Sequence, residues 1–242
     1  MRILILGGTK NARILAEAIS KHHEITYSIA GKTKSALLPN GCHHISGGFG
    51  GANGLADCLR KKNVEICIDA THPFAKNITK NAIIACEKVQ IPILQYARKA
   101  WQATLNDDWQ IFQNTEQLIK TLPKAARILL TIGSQNILPY LPLKQSVIAR
   151  MIEPPLLQAH KLTDGFEILL ARPPFILADE IKLMQQHKIS HLICKNSGGE
   201  TFDNKLLAAR KLGIKVFMID MPDKRHIHRY YKLLDIIQAI DA

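Results

Sequence analysis

The segment ICIDATHPFAKNITKNAIIACEKVQIPILQY, Ile66 to Tyr96, contains one complete unit of the chain's architecture. It opens on an apolar strand, Ile66 to Ala70, interrupted only by the acid Asp69. Thr71, His72 and Pro73 follow, then a helical stretch from Asn77 to Lys88 with Ile78, Ala82, Ile83 and Cys86 on one face. Pro92 to Tyr96 is a second apolar strand. Strand, helix and strand in about thirty residues make a crossover unit, the building block of a parallel sheet. At the junction, Thr71 or His72 can cap the helix, and Pro73 suits its first turn. One reading of this stretch is a plain cap with a salt-bridged acid. Two titratable residues at the carboxyl end of a central strand favour a site.

The same alternation runs outward in both directions. Toward the N-terminus lie the strands Ile3 to Leu6, Ile25 to Ala30 and His43 to Ser46, with helices over Ala12 to Ser20 and Leu55 to Lys62. Toward the C-terminus the pattern thins between Arg98 and Pro123, where Trp109 to Asn114 reads as a strand and Glu116 to Leu122 as a short helix. It resumes with strands at Ile128 to Ile132, Ser146 to Arg150, His191 to Lys195 and Val216 to Asp220. Helices are predicted over Ala178 to Gln186, Asn204 to Leu212 and Tyr230 to Ile240. The reading is two α/β domains with parallel sheets covered by helices on both faces. The first spans 1–100, a connection spans 101–124, and the second spans 125–242.

Composition narrows the partners. Of 242 residues, 47% are hydrophobic, which is enough for packed cores. No apolar run reaches the length of about eighteen residues that a membrane helix needs. The N-terminal MRILILGGTK breaks at Gly7 and reads as a buried strand rather than a signal peptide, so a cytoplasmic protein is expected. The five cysteines form no CxxC pair, which argues against a disulfide framework and a metal site. A net charge of +12 favours anionic partners. Aromatics are only 6%, too few for the stacking platform of a nucleic-acid binder.

Ligands of open parallel sheets bind beyond the carboxyl ends of the strands. There the sequence has Gly7-Gly8-Thr9, which is a possible anion cradle or a plain turn, and the run Gly47 to Gly54, a ligand-approaching loop or a surface loop. The second half offers ILLTIGSQN, Ile128 to Asn136, a further strand leading through small residues into a predicted helix. It also offers Lys195, Asn196, Ser197, Gly198, Gly199 and Thr201 in one loop, suited to a phosphate. Neither GxGxxG nor a Walker A loop is present.

Five blocks in order resemble the precorrin-6A reductase and cobalt-precorrin-6A reductase family of cobalamin (vitamin B12) biosynthesis. They are GGTKNAR (Gly7 to Arg13), GGFGGANGLA (Gly47 to Ala56), DATHPFAKNITKNA (Asp69 to Ala82), LLTIGSQ (Leu129 to Gln135) and KNSGGETFDNKLLAAR (Lys195 to Arg210). Arg98 with Trp101, Arg150 before Pro154-Pro155, and Arg172 before Phe175 also fit. Departures are Asn11 for a usual Glu, Pro173 for a usual Gly, and Met221 for a common Arg.

The resemblance implies two Rossmann-like domains, with NADPH in the interdomain cleft and one double bond of precorrin-6A or its cobalt form reduced. With it, cofactor binding is expected by Gly7, Gly8, Thr9, Thr71 and Gln135, with phosphates on Thr131, Gly133, Ser134, Lys195, Asn196, Ser197, Gly198 and Gly199. Gly48, Phe49, Gly50, Arg98, Trp101, Arg150 and Arg172 are expected at the polycarboxylate substrate, the three arginines also being candidates for the 2′-phosphate. Asp69 and His72 are the candidate catalytic pair, and no metal is expected. Neither nucleic acid nor membrane is an expected partner; other enzymes of the pathway are. The alternative is a non-catalytic two-domain module that binds a nucleotide or anion.

Overall fold

The computed structural model describes residues 1–31, 37–155, 162–199, 203–222 and 227–242. The chain divides into two units, Met1–Lys99 with Pro222–Ala242, and Ala100–Met221.

In the first unit, β1 (Arg2–Leu6), α1 (Lys10–Ile19), β2 (Glu24–Ile29), β3 (His43–Ser46), α2 (Gly51–Lys61), β4 (Ile66–Asp69), α3 (Lys76–Val89) and β5 (Ile93–Tyr96) follow in order. β1 is apolar at every position after Arg2 because both of its faces are covered. Ile3 and Ile5 pack with Leu15 and Ile19 of α1. Leu4 and Leu6 pack with Leu55 and Leu59 of α2 and Ala82 and Cys86 of α3. Burying each such side chain contributes about 1.5–3 kcal/mol.

The second unit contains β6 (Trp109–Phe112), α4 (Thr115–Thr121), β7 (Arg127–Leu130), β8 (Ser146–Met151), β9 (Phe166–Leu170), α5 (Leu177–Gln186), β10 (His191–Lys195), α6 (Asn204–Leu212) and β11 (Lys215–Ile219). The chain then returns to the first unit with β12 (His228–Tyr230) and α7 (Leu233–Asp241).

All strand pairs in both six-stranded sheets are parallel. The orders are β12-β5-β4-β1-β2-β3 and β6-β11-β10-β7-β8-β9. Each is the doubly-wound 3-2-1-4-5-6 arrangement, with switch points between β1 and β4 and between β7 and β10. The sixth place is filled from the other end of the chain's path: β12, the last strand, completes the first sheet, and β6 completes the second.

This corrects the expected division at 101–124 and 125–242. Trp109–Phe112 belongs to the second sheet beside β11, and residues 228–230 pair with β5. The predicted helix from Tyr230 starts instead at Leu233, and its Ile236 and Ile240 join the core of α1 and β1. β9 was not read from the sequence. The helix expected after β7 is two 3₁₀ turns, Ser134–Asn136 and Leu138–Tyr140.

The glycine run is also corrected, since α2 starts at Gly51 and takes in half of it. Gly54 is required there, because a Cβ would lie 1.7 Å from the Phe49 carbonyl oxygen. Gly54→Ala is expected to cost about 1–3 kcal/mol in urea unfolding, as for forced overpacking. Gly48 has open space around it, so Gly48→Ala should stay within about 0.5 kcal/mol of wild type.

Candidate functional site

At the first switch point, β1 runs through Gly7-Gly8-Thr9 into α1. The turn is tied to β2: the Gly7 amide donates to the Ser28 carbonyl at 2.8 Å, and the Gly8 amide to the Tyr27 hydroxyl at 3.0 Å. A Cβ on Gly7 would sit 2.2 Å from Tyr27 Cζ, whereas Gly8 has φ +94° and open space around it. Thr9 caps α1, its Oγ1 accepting from the Ala12 amide at 3.1 Å and donating to the Ala70 carbonyl at 2.9 Å. The first turn of α1 holds no acid and begins Lys10-Asn11. It is a helix end electrostatically suited to an anion.

Across the switch point, Asp69 is 1% exposed and turned into the protein. Its Oδ1 accepts from the Thr71 amide (3.1 Å) and Thr71 Oγ1 (2.5 Å), and its Oδ2 from Thr79 Oγ1 (2.6 Å) and Gln95 Nε2 (3.3 Å). The expected cap is therefore corrected. α3 starts at Lys76 on an N-cap, Ala75, without a side-chain bond, because the Thr71 hydroxyl is taken by Asp69. His72 is half-buried; its Nδ1 accepts from the Phe74 amide at 3.3 Å, and its ring lies 5.8 Å from that of Phe74. Nδ1 as acceptor assigns the ring proton of neutral His72 to Nε2.

Gly48, Phe49 and Gly50 lie beyond β3, the edge strand, and Phe49 packs on the α2–α3 core. Arg98 follows β5 and is half-buried, and burial lowers its pKa. It forms no ion pair among the described residues.

At the second switch point, Thr131 closes β7 onto β10 through its amide and hydroxyl, both donating to the Ile193 carbonyl. Gly133, with φ +81° and open surroundings, precedes Ser134 and Gln135, the first residues of the 3₁₀ turn. Lys195 Nζ donates to the Ile132 carbonyl at 2.9 Å, and burial lowers its pKa to about 8. Ser197, Gly198 and Gly199 continue this loop, and Thr201 lies outside the described residues.

Four expected ligand side chains are committed elsewhere. Asn196 clamps the Trp101 backbone, accepting from its amide at 2.9 Å and donating to its carbonyl at 3.0 Å. Trp101 itself is 9% exposed and part of the core. Arg150 pairs with buried Glu180 at 2.8 Å, its guanidinium 3.9 Å from the centre of the Phe175 ring. Arg172 pairs with Glu153.

Sequence reasoning missed Tyr27, Thr79, Gln95 and Glu180. Thr79 alone had a signal: a hydroxyl three residues before Ala82, on the stripe of α3 that reads as core. Among the described residues no helix is long and apolar enough to cross a membrane, and no His, Cys, Asp and Glu cluster could hold a metal.

Comparison with known proteins agrees on one family. The family model for precorrin-6x reductase CbiJ/CobK matches residues 2–240. Precorrin-6A reductase of Rhodococcus erythropolis is 43% identical over 91% of this chain and 89% of its own. Cobalt-precorrin-6A reductase of Priestia megaterium is 27% identical over 98% of this chain and 97% of its own. A solved structure titled CobK precorrin-6A reductase superposes with a TM-score of 0.89 at 31% identity, covering 100% of this chain and 96% of that one.

Proposed function

Since this chain belongs to the precorrin-6x reductase CbiJ/CobK family, we propose that its first unit holds NADPH while Lys195 of its second unit holds a carboxylate of the ring. The chain is an oxidoreductase that reduces precorrin-6A in cobalamin biosynthesis. The product is the 6B form, and the substrate is taken as metal-free, after the name of the 43% relative.

One observation carries the division. The first switch point leads through an open glycine into the acid-free N-terminus of a ten-residue helix, while the second leads into a 3₁₀ turn. A pyrophosphate is best matched by the former, with the dipole of a full helix behind it. The sequence-based expectation laid the phosphates on Thr131, Gly133, Ser134 and Lys195 to Gly199; the helix geometry favours Gly8, Thr9 and the amides of Lys10 and Asn11.

NADPH rather than NADH is favoured because β2 ends in Ile29-Ala30-Gly31, without the acid that selects an unphosphorylated ribose. The +12 charge also suits the extra phosphate. When bound, the cofactor supplies the hydride. The chain's own part is to orient both reactants, exclude water and hold a proton, and His72 Nε2–H is the group we assign to it.

Gly8→Ala, which puts a methyl group where the pyrophosphate approaches, is expected to weaken NADPH at least about tenfold, or 1.4 kcal/mol, by calorimetry. Lys195→Met should leave NADPH within about twofold and raise the KM for precorrin-6A about tenfold, as for a lost charged hydrogen bond. The opposite pattern, with NADPH lost in Lys195→Met and kept in Gly8→Ala, would move the phosphates to the second sheet.

The Lys195 assignment also fixes a pH dependence. An anion binds the charged amine, and burial has brought the pKa of the free protein down to about 8. Precorrin-6A binding should thus take up a proton and weaken as pH rises above about 8, by up to about tenfold per unit. Lys195→Arg should flatten that limb, which dissociation constants between neutral and alkaline pH would reveal.

A further inference from the structure

The two oxygens of Asp69 are divided between two jobs. Oδ1 faces the loop, engaged by the amide and hydroxyl of Thr71. Oδ2 faces the core, engaged by Thr79 of α3 and Gln95 of β5. Thr79 and Gln95 are each 5% exposed, in places where Val and Met would pack with similar volume. A polar group at such a position is costly unless a bond repays its desolvation, so its presence asks for a reason.

The carboxylate torsion of an aspartate is soft and roughly two-fold. With Oδ1 alone engaged, the group could rock and the Thr71 amide would follow. Two donors from two different elements on Oδ2 fix the carboxylate plane against the sheet and the helix together. The Thr71–His72 turn is then set by α3 and β5 rather than by its own sequence, which has no helix cap to hold it. The Thr79 amide donates to the Ala75 carbonyl at 3.3 Å, so the residue whose hydroxyl holds Asp69 also joins the end of this loop to α3.

We infer that Thr79 and Gln95 are positioning residues for the reduction: through Asp69 they fix the loop that presents Thr71 and His72 at the first switch point. Asp69 is thereby an acceptor at the centre of the loop's support, and the proton falls to His72. The inference rests on the assignment of His72 above and adds the residues through which its place is set.

The test uses the full-length protein with Thr79→Val, Thr79→Ser, Gln95→Met and His72→Ala. Thr79→Val is expected to lower kcat about tenfold with the dissociation constant for NADPH changed less than twofold. Thr79→Ser, which keeps the hydroxyl, should return kcat to within twofold of wild type. Gln95→Met should lower kcat in the same direction, and it remains informative if Thr79→Val does not fold. Deuterium exchange of residues 70–75 should speed up in Thr79→Val and Gln95→Met while residues 191–195 keep wild-type protection. Wild-type kcat and exchange in both variants, with His72→Ala slow, would overturn the positioning role and leave the His72 assignment standing. Faster exchange with wild-type kcat in these variants and in His72→Ala would overturn the His72 assignment instead, and with it this inference. A kcat loss in Thr79→Val that Thr79→Ser does not rescue would also overturn it.

Discussion

Glu180→Ala is expected to lower the stability of the second unit by about 3–5 kcal/mol in denaturant unfolding, the range for breaking a buried ion pair from one side. The Glu180 side chain is fully buried and the Arg150 side chain 8% exposed, with 2.8 Å between guanidinium and carboxylate. Removing the acid leaves a buried guanidinium against the Phe175 face without its direct ion-pair partner, with Asp203 near enough only to share its field. The stacked ring offers part of a compensation, worth about 2 kcal/mol or less for a desolvated cation over an aromatic face. It does not replace the lost charge. The double variant Arg150→Met with Glu180→Leu removes both charges and should recover most of the loss. A single-variant cost under about 1 kcal/mol would mean that water reaches the pair. The same pairing bears on function, because an arginine neutralised in this way is a weaker anchor for a carboxylate than Lys195 or Arg98.

On the proposed role of His72, His72→Ala is expected to lower kcat about a hundredfold, the lower end of what positioned acid catalysis supplies, and to leave NADPH affinity within about twofold. The loss belongs to kcat because the ring proton matters only once charge develops on the substrate. His72 is favoured over Asp69 by geometry. Among the described residues Asp69 accepts four hydrogen bonds and is 1% exposed, whereas His72 is half-buried and its Nδ1 accepts from the Phe74 amide, which assigns the proton of the neutral ring to Nε2. His72→Gln keeps a donor of similar reach and should lose less than His72→Ala. Wild-type turnover in His72→Ala would assign the proton to solvent and leave the loop as part of the binding surface.

Much of the architecture was legible in residues 66–96 and their repeats. Apolar runs of four to six residues alternating with one-sided helices have few solutions other than a parallel sheet covered on both faces, since that sheet alone buries both sides of each strand. β1, β2, β4, β7, β10 and β11 were read for that reason, and so were the loops beyond them. The glycine turns were legible too, because positive φ and close backbone approach leave few other residues possible.

Features that depend on partners distant in sequence emerge only in the folded chain. His228–Tyr230 is three residues long, and nothing local assigns it to β5, more than 130 residues earlier, or gives α7 to the first core. The domain boundary failed there because edge pairing is a contest between sheets, not a property of the strand. Likewise, Thr71 reads as a helix cap and Arg150 as an open cation until Asp69 and Glu180 are brought beside them. A buried polar side chain takes whichever partner the packed core supplies, since leaving it unpaired costs more than any local preference. Sequence periodicity therefore determined the layers and the ends of the strands where a site could lie. Only the packed core determined which polar groups there remain available to a ligand.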